Sequence, residues 1–315
     1  MTPAPPRVSI LMAVYNAHDF LEQAIESVLA QTMPHWELLC VDDCSTDDSP
    51  TLLRQYAARD ARIRVTLLPQ NRGAAAARNT ALALSHGQWI TMLDSDDWFA
   101  PDTLERALNC EAPGTDAIML DLIHHYPGRP PKRHNPHLLS EDPVKGYDAF
   151  LWSLDWTLHG LMLVRRELHL RYPYDERLRW YSDDNTSRLH LLHARRVDFS
   201  FGEYHYRHHA ASNTTAVTPA RFLLLEANRD MQQMLQDEGF PEKVRRLHRQ
   251  TCWTGYVGHL RLYHIHAREF TPAERREIKE RFRRLYPTFG RRTPYPLFLF
   301  RQWAGYFLRR LAGRE

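Results

Sequence analysis

WITMLDSDDWFAPDTLERAL, residues 89–108, joins an apolar run to four acidic side chains within nine positions. Trp89, Ile90, Met92 and Leu93 have the composition expected at the end of a buried strand. Asp94, Asp96 and Asp97 then fall where such a strand leaves the core. Carboxylates that close repel one another, so the cluster costs stability unless a cation or hydrogen-bond donors compensate. Asp94-x-Asp96 fits a divalent-cation site of hard oxygen ligands, completed by water and phosphate oxygens. Helix caps and turns also collect aspartates, and the pair alone does not separate the two readings.

Working outward, the chain alternates apolar β-rich runs with helical spacing. Strands are expected over 7–15 (RVSILMAVY), 36–43 (WELLCVDD), 63–69 (IRVTLLP) and 88–95 (QWITMLDS). Between them, residues 17–32 carry Phe20, Leu21, Ala24, Ile25, Val28 and Leu29 at helical spacing. Ser45-Thr46-Asp47-Asp48 reads as a helix start, and residues 74–86 have strong helix propensity. Strands alternating with helices imply right-handed βαβ units and a parallel sheet, with ligands held outside the carboxyl ends of the strands. Tyr15-Asn16, Asp42-Asp43 and Asp94–Asp97 all occupy such ends, so three polar clusters converge on one edge.

Beyond residue 109 the pattern is weaker. Residues 116–126 read as a strand, 127–137 (PGRPPKRHNPH) as a Pro-rich basic loop, 160–168 as a strand entering a helix, and 180–194 as a loop and helix. From about 219 the pattern is helical. The expected division is 1–215, with halves meeting near 110, followed by a helical region over 216–315.

At 315 residues, 43% hydrophobic and 25% charged, the composition is that of an ordinary globular protein. No apolar run approaches the roughly 18 residues of a membrane span. The N-terminus, MTPAPPRVSILMAVYN, does not read as a secretory signal. Cys40, Cys44, Cys110 and Cys252 lack framework spacing and are expected to be reduced thiols in a cytoplasmic protein.

The net charge of +3 hides an asymmetry. Residues 241–315 carry 18 Lys/Arg against 6 Asp/Glu, and residues 1–240 carry 23 against 32. PYPLFLFRQWAGYFLRRLAGRE (294–315) is too short and charged to span a bilayer, but it can lie in the interface as an amphipathic helix. Docking on the rest of the chain, or homodimer formation, accounts for it equally well. No motif accompanies the basic charge that would indicate nucleic-acid binding.

VSILMAVYN (8–16), AIESVLAQTMPHWELLCVDDCSTDDS (24–49) and NRGAAAARNTALALSHGQWITMLDSDDW (71–98) resemble, in order and spacing, the family 2 nucleotide-sugar glycosyltransferases of GT-A fold. The resemblance is close over residues 7–110 and looser to about 215. It implies an α/β, Rossmann-like GT-A domain with a mostly parallel central sheet, followed by a helical C-terminal region. It also implies inverting transfer of a sugar from a nucleoside-diphosphate donor, a UDP-sugar most commonly, with Mn²⁺ or Mg²⁺. The acceptor implied is a glycan or lipid-linked hydroxyl, in polysaccharide or lipopolysaccharide synthesis at the inner face of the membrane.

By that resemblance Asp42 or Asp43 reads the nucleobase beside Tyr15, Asp94 faces the ribose or metal, Asp96 binds the metal, and Arg78 lies near the nucleotide. A carboxylate accepting a base N–H beside a covering aromatic ring is sound chemistry. The alternative for these acids is capping, by Asp43 or Ser45, or a turn at Asp96 or Asp97. An inverting transferase also needs a carboxylate to take the acceptor's proton. WYSDDNTSRL (180–189) supplies Asp183-Asp184 before Arg188, with Asp184 in the family's base position and Asp183 where a Glu is usual. The alternative is a plain helix cap. YHYRHHAASNTT (204–215) resembles the segment that closes over the diphosphate, with Arg207 on the phosphate and His209 on metal or phosphate.

Departures from the family pattern are Ala13, Thr80 and Cys44, the last replacing glycine in a turn. There the backbone either avoids positive φ or carries strain. Trp152, Trp156, His159 and Trp180 fit a sugar-stacking surface or an ordinary core. Two other readings are a nucleotide-sugar or polysaccharide binding protein without turnover, and an aspartyl-phosphate phosphotransferase. The second needs a hydroxyl residue after its aspartates, where Trp98 stands.

Overall fold

The computed structural model describes residues 5–289 except 135, 137–138, 141, 179–180, 210–211 and 213–215. The basic tail 294–315 and Trp180 lie outside the described residues. The chain divides into two compact units, Met1–Ala216 and Val217–Glu315.

The first unit opens with β1 (Val8–Val14), α1 (His18–Leu29), β2 (Trp36–Asp42), α2 (Ser49–Arg59), β3 (Ile63–Leu67), α3 (Ala74–Ala83) and β4 (Trp89–Met92). β1 and β2 are continuous apolar runs because both faces of the sheet are covered, which leaves no water-facing side for polar residues. α1 buries Leu21, Ala24, Ile25 and Val28, one stripe at helical spacing. β3 pairs with β2, β2 with β1, and β1 with β4, all parallel. The chain runs outward from β1 to β3, then returns to place β4 on β1's other side. That reversal makes a crevice at the carboxyl ends of β1 and β4, the place where open α/β sheets hold ligands.

The second half of the sheet is mixed. β5 (Trp98–Phe99), α4 (Thr103–Asn109), β6 (Thr115–His125), β7 (Lys132–His134), α5 (Gly146–Ser153), β8 (Met162–Arg165), α6 (Arg166–Arg171), α7 (Ser182–His193) and β9 (Arg196–Arg207) complete the unit. The order is β3-β2-β1-β4-β8-β6-β9-β5, with β7 against β6. β8 is antiparallel to both β4 and β6, and β9 is parallel to β6. The sequence reading names no strand at β5 or β9, although β9 supplies the side chains that hold the acidic turn.

α7 carries Asp183 and Asp184, and its seat is tight. A Cβ on Gly146 would stand 2.1 Å from the Ala194 carbonyl oxygen and 2.2 Å from that of Leu191. Only glycine lets the start of α5 approach the end of α7 this closely.

The second unit holds a 3₁₀ turn (Pro219–Leu223), α8 (Leu224–Asp237), α9 (Glu242–His266) and α10 (Pro272–Phe289). Its core joins Phe222, Leu225, Tyr256, Leu260, Ile278 and Phe282. Thr271 and Glu274 form a reciprocal capping box at the start of α10: Glu274 Oε2 accepts the Thr271 N–H at 2.7 Å, and Thr271 Oγ1 accepts the Glu274 N–H at 3.3 Å. No described helix is long and apolar enough to cross a membrane. All four cysteines are free thiols.

Candidate active site

The parallel register sets Tyr15, Asp43 and the turn after β4 at one edge of the sheet: β1 and β2 end in register at Val14 and Asp42, and β4 ends at Met92 opposite Leu11, where the chain turns toward that edge. Two loops are tied across this edge. Asn16 donates its N–H to Ser45 Oγ at 2.9 Å, and its side-chain carbonyl accepts the Thr46 N–H at 2.8 Å. Ser45 therefore does not cap α2, which begins at Ser49 with Asp48, the last residue of the expected start, in the N-cap position. Tyr15, 49% exposed, is a free aromatic face at the lip.

Asp42 and Asp43 are both buried, with different tasks. Asp43 accepts the backbone N–H groups of Arg72 and Gly73, both at 2.7 Å. Its carboxylate thus fixes the entry to α3 from the end of a neighbouring strand, in place of the cap that α3 lacks. Asp42 Oδ2 accepts the Ser45 N–H at 3.0 Å, while its Oδ1 is buried without a partner. A buried acceptor left unpaired beside a ligand crevice is where an incoming N–H would be rewarded.

Cys44 has φ of +64°, so the turn takes the strained alternative. The left-handed region costs a non-glycine residue roughly 1–2 kcal/mol, part of which a glycine gives back in unfolded-state entropy. Cys44→Gly is expected to stabilise the protein by about 1 kcal/mol, a Tm rise of about 2–4 °C in a thermal melt. A lower Tm would show that the thiol contributes more than its backbone costs.

The acidic turn separates its three carboxylates. Asp94 Oδ1 accepts from Arg78 Nη2 at 2.5 Å. Asp96 Oδ2 lies 2.9 Å from His209 Nε2, whose ring packs 4.5 Å from Phe20. Asp97 is buried, accepting from Tyr204 Oη at 2.8 Å and from the Arg207 N–H at 2.8 Å. Burial and the Asp94 charge push the Asp96 and Asp97 carboxyls above the usual range. Arg207 donates from Nε to the Asp96 carbonyl at 2.8 Å and from Nη2 to Gln23 Oε1 at 2.6 Å. Its guanidinium thus braces the turn. Among the described residues no group of three or more His, Cys, Asp or Glu side chains is assembled around a metal position.

Asp183 and Asp184 open α7 after Tyr181, whose φ of +64° turns the chain sharply into the helix. Burial raises both carboxyls. The charge of Asp183 adds to the shift at Asp184, against the pull of Arg188 and Arg78, and takes it to about 8. Asp183 also senses Arg78 and Asp94, so these three groups are electrostatic neighbours. Arg78 is 7% exposed, and burial works against its charge, but Asp94 and Asp183 hold its guanidinium above its ordinary value.

The geometry is that of an acidic crevice at a sheet switch point, with one buried arginine between two carboxylate clusters. Residues 9–172, just over half the chain, match the Glycosyl transferase family 2 model. The chain belongs to glycosyl transferase family 2.

Two of its relatives are named for polysaccharide biosynthesis. It is 48% identical over 108 residues to the putative teichuronic acid biosynthesis glycosyltransferase TuaG of Bacillus subtilis (strain 168), covering 34% of this chain and 43% of that protein. It is 44% identical over 180 residues to the succinoglycan biosynthesis protein ExoO of Rhizobium meliloti (strain 1021), covering 56% and 51%. The match thus spans about half the length of these relatives. The crystal structure of S. aureus TarS 1-349 in complex with UDP superposes with a TM-score of 0.63, at 19% identity, over 89% of this chain and 81% of that one. At that identity the likeness shows a shared fold, the GT-A fold of this family 2 glycosyltransferase.

The residues missed in the sequence are those that brace the site. Phe20 and Gln23 lie in the expected helix over 17–32 with no site role, Tyr204 opens the segment 204–215 in which only Arg207 and His209 were given roles, and Tyr174, over which Arg78 lies at 5.5 Å, sits in an unassigned stretch. The alternation Tyr204-His205-Tyr206-Arg207 was the available signal for β9.

Proposed function

We propose that this family 2 glycosyltransferase moves a sugar from a nucleoside-diphosphate sugar, a UDP-sugar by preference, to a hydroxyl of a glycan or lipid-linked acceptor. Transfer inverts the anomeric carbon and serves cell-surface polysaccharide synthesis. The observation that carries the reading is Arg78: it bonds Asp94 directly and shares its charge with Asp183, so the acidic turn and the α7 carboxylate pair face one reaction centre. Family membership and the polymers named for TuaG and ExoO support the reaction class and the acceptor class.

In this reading Tyr15 covers the nucleobase, and the unpaired Asp42 Oδ1 takes a base N–H, while Asp43 holds the loop that frames it. Asp94 and Arg78 flank the ribose and diphosphate. Residues 1–110 serve the donor, and residues 111–215 present the acceptor. Asp184 takes the acceptor's proton as its oxygen attacks the anomeric carbon opposite the leaving diphosphate, and Asp183 and Arg78 set the field around it.

Asp96, Asp94 and His209 suit Mn²⁺ or Mg²⁺: they offer hard oxygens and one imidazole, and burial together with the Asp94 charge raises the Asp96 carboxyl, a cost that a divalent cation would relieve. Two or three protein ligands leave room for water and phosphate oxygens. When bound, the ion would neutralise charge building on the departing diphosphate. The reading places the enzyme in the cytoplasm, working at the inner face of the membrane, with its basic C-terminal region meeting that surface or a second copy.

A base acts only when ionised, so a carboxyl raised by burial moves the working range upward. The kcat/KM of transfer is expected to climb with pH and level off above about 8, reporting the Asp183–Asp184 pair in the free enzyme. A pH–rate profile already flat by pH 6 would remove the pair from that role. The reaction itself is tested by supplying UDP-, GDP- and dTDP-sugars with Mn²⁺ and a membrane extract as acceptor, and following nucleoside diphosphate release. One α-linked donor should be consumed, with a β-linked product by NMR. Consumption of none would reject the proposal, and an α-linked product would reject inversion.

A further inference from the structure

We infer that Asp97 and Tyr204 are positioning residues that hold turn 94–97 in the shape its donor-side carboxylates need, and that Asp97 itself is not a ligand. The inference rests on the donor-site reading above and divides its acids into two kinds.

Proton bookkeeping fixes the arrangement. The Tyr204 hydroxyl accepts the Asp94 N–H at 3.1 Å and donates its one proton to Asp97 Oδ2 at 2.8 Å. The Arg207 N–H supplies Asp97 Oδ1, so Asp97 is an acceptor on both oxygens. It is 1% exposed and turned into the protein, whereas the Asp96 side chain is 31% exposed. The Asp97 N–H closes the turn onto the Asp94 carbonyl at 3.1 Å, and Arg207 Nε holds the Asp96 carbonyl. The Asp94 N–H, the Asp94 carbonyl and the Asp96 carbonyl are therefore each anchored on β9 or within the turn.

The anchor is rigid. Tyr204 is fully buried in the main core, edge-on to Phe99 at 5.6 Å, and β9 pairs with Trp98 and Phe99 immediately after the turn. The ring cannot leave without opening the core. Asp97 reads in the sequence as a third carboxylate of the same cluster. Its contacts make it part of the frame.

Tyr204→Phe keeps the ring and removes only the hydroxyl, leaving the Asp94 N–H and Asp97 Oδ2 without their partner. Asp97→Asn is the second variant, since its amide would set an N–H against either the Arg207 N–H or the Tyr204 hydroxyl. Both are studied in the full chain by amide hydrogen–deuterium exchange over residues 94–98 and by calorimetry with UDP and Mn²⁺. Exchange at the turn is expected to quicken about tenfold, with β1 unchanged, and the UDP–Mn²⁺ Kd to rise about tenfold. Turn exchange at wild-type rates in Tyr204→Phe would overturn the inference, as would faster exchange with an unaltered Kd. Wild-type protein that binds no UDP contradicts the donor reading instead, and the exchange rates then decide alone whether Tyr204 and Asp97 hold the turn.

Discussion

Asp184→Asn is expected to lower kcat for sugar transfer by about 10²–10⁴-fold while leaving donor affinity within about twofold. The magnitude is that of removing a general base, since the amide keeps size and hydrogen-bonding shape but cannot take a proton. The variant should fold at least as well as wild type. Asp184 is a carboxyl that burial and Asp183 hold far above its ordinary value, so its ionised form is costly at neutral pH and an amide avoids that cost. Rate measurements with saturating donor and acceptor, alongside a thermal melt, separate lost chemistry from lost structure. Unchanged turnover would mean that the proton leaves by another group, with Asp183 the first alternative to test.

Asp96→Ala is expected to weaken metal-dependent nucleotide binding by at least about 100-fold. Substituting an outer-shell partner typically costs about 10–100-fold in metal affinity, and a direct ligand should cost no less. The same change should leave the ligand-free protein as stable as wild type or more so, because Asp96 repels Asp94 in a poorly solvated turn. Loss of binding together with an undiminished melting temperature is the signature expected of a site built against local stability. A variant that bound UDP and Mn²⁺ normally would remove Asp96 from the ligands.

Much of this was legible because burial writes long apolar runs. Val8–Val14 and Trp36–Asp42 are covered on both faces, so each announces a strand without help from its neighbours. Once those strands are parallel, the meeting of Tyr15, Asp42 and Asp94 at one edge follows from topology. Asp183 and Asp184 were reached through the family resemblance, since two acids at a helix start look the same as a cap or a base.

What escaped the sequence is the division of labour within each cluster. Asp42 and Asp43 are adjacent and chemically identical, yet one clamps two amides of residues 72 and 73 and the other keeps an unpaired oxygen. Asp97 is buried with both oxygens held, whereas Asp96 stays part-exposed beside His209. Such differences arise from contacts made with Arg72, Tyr204 and Arg207, which lie far along the chain. Arg207 shows the same limit. The family resemblance puts it on the diphosphate, and the structure adds that its guanidinium bonds the Asp96 carbonyl and Gln23.

The most direct test is a crystal structure of the full chain grown with UDP and Mn²⁺. The account predicts a metal ion on the Asp96 carboxylate bridging to the diphosphate, the uracil beside Tyr15 with an N–H on Asp42, and Asp97 still bonded to Tyr204. UDP bound away from the switch point between β1 and β4, or a metal held without Asp96, would contradict it.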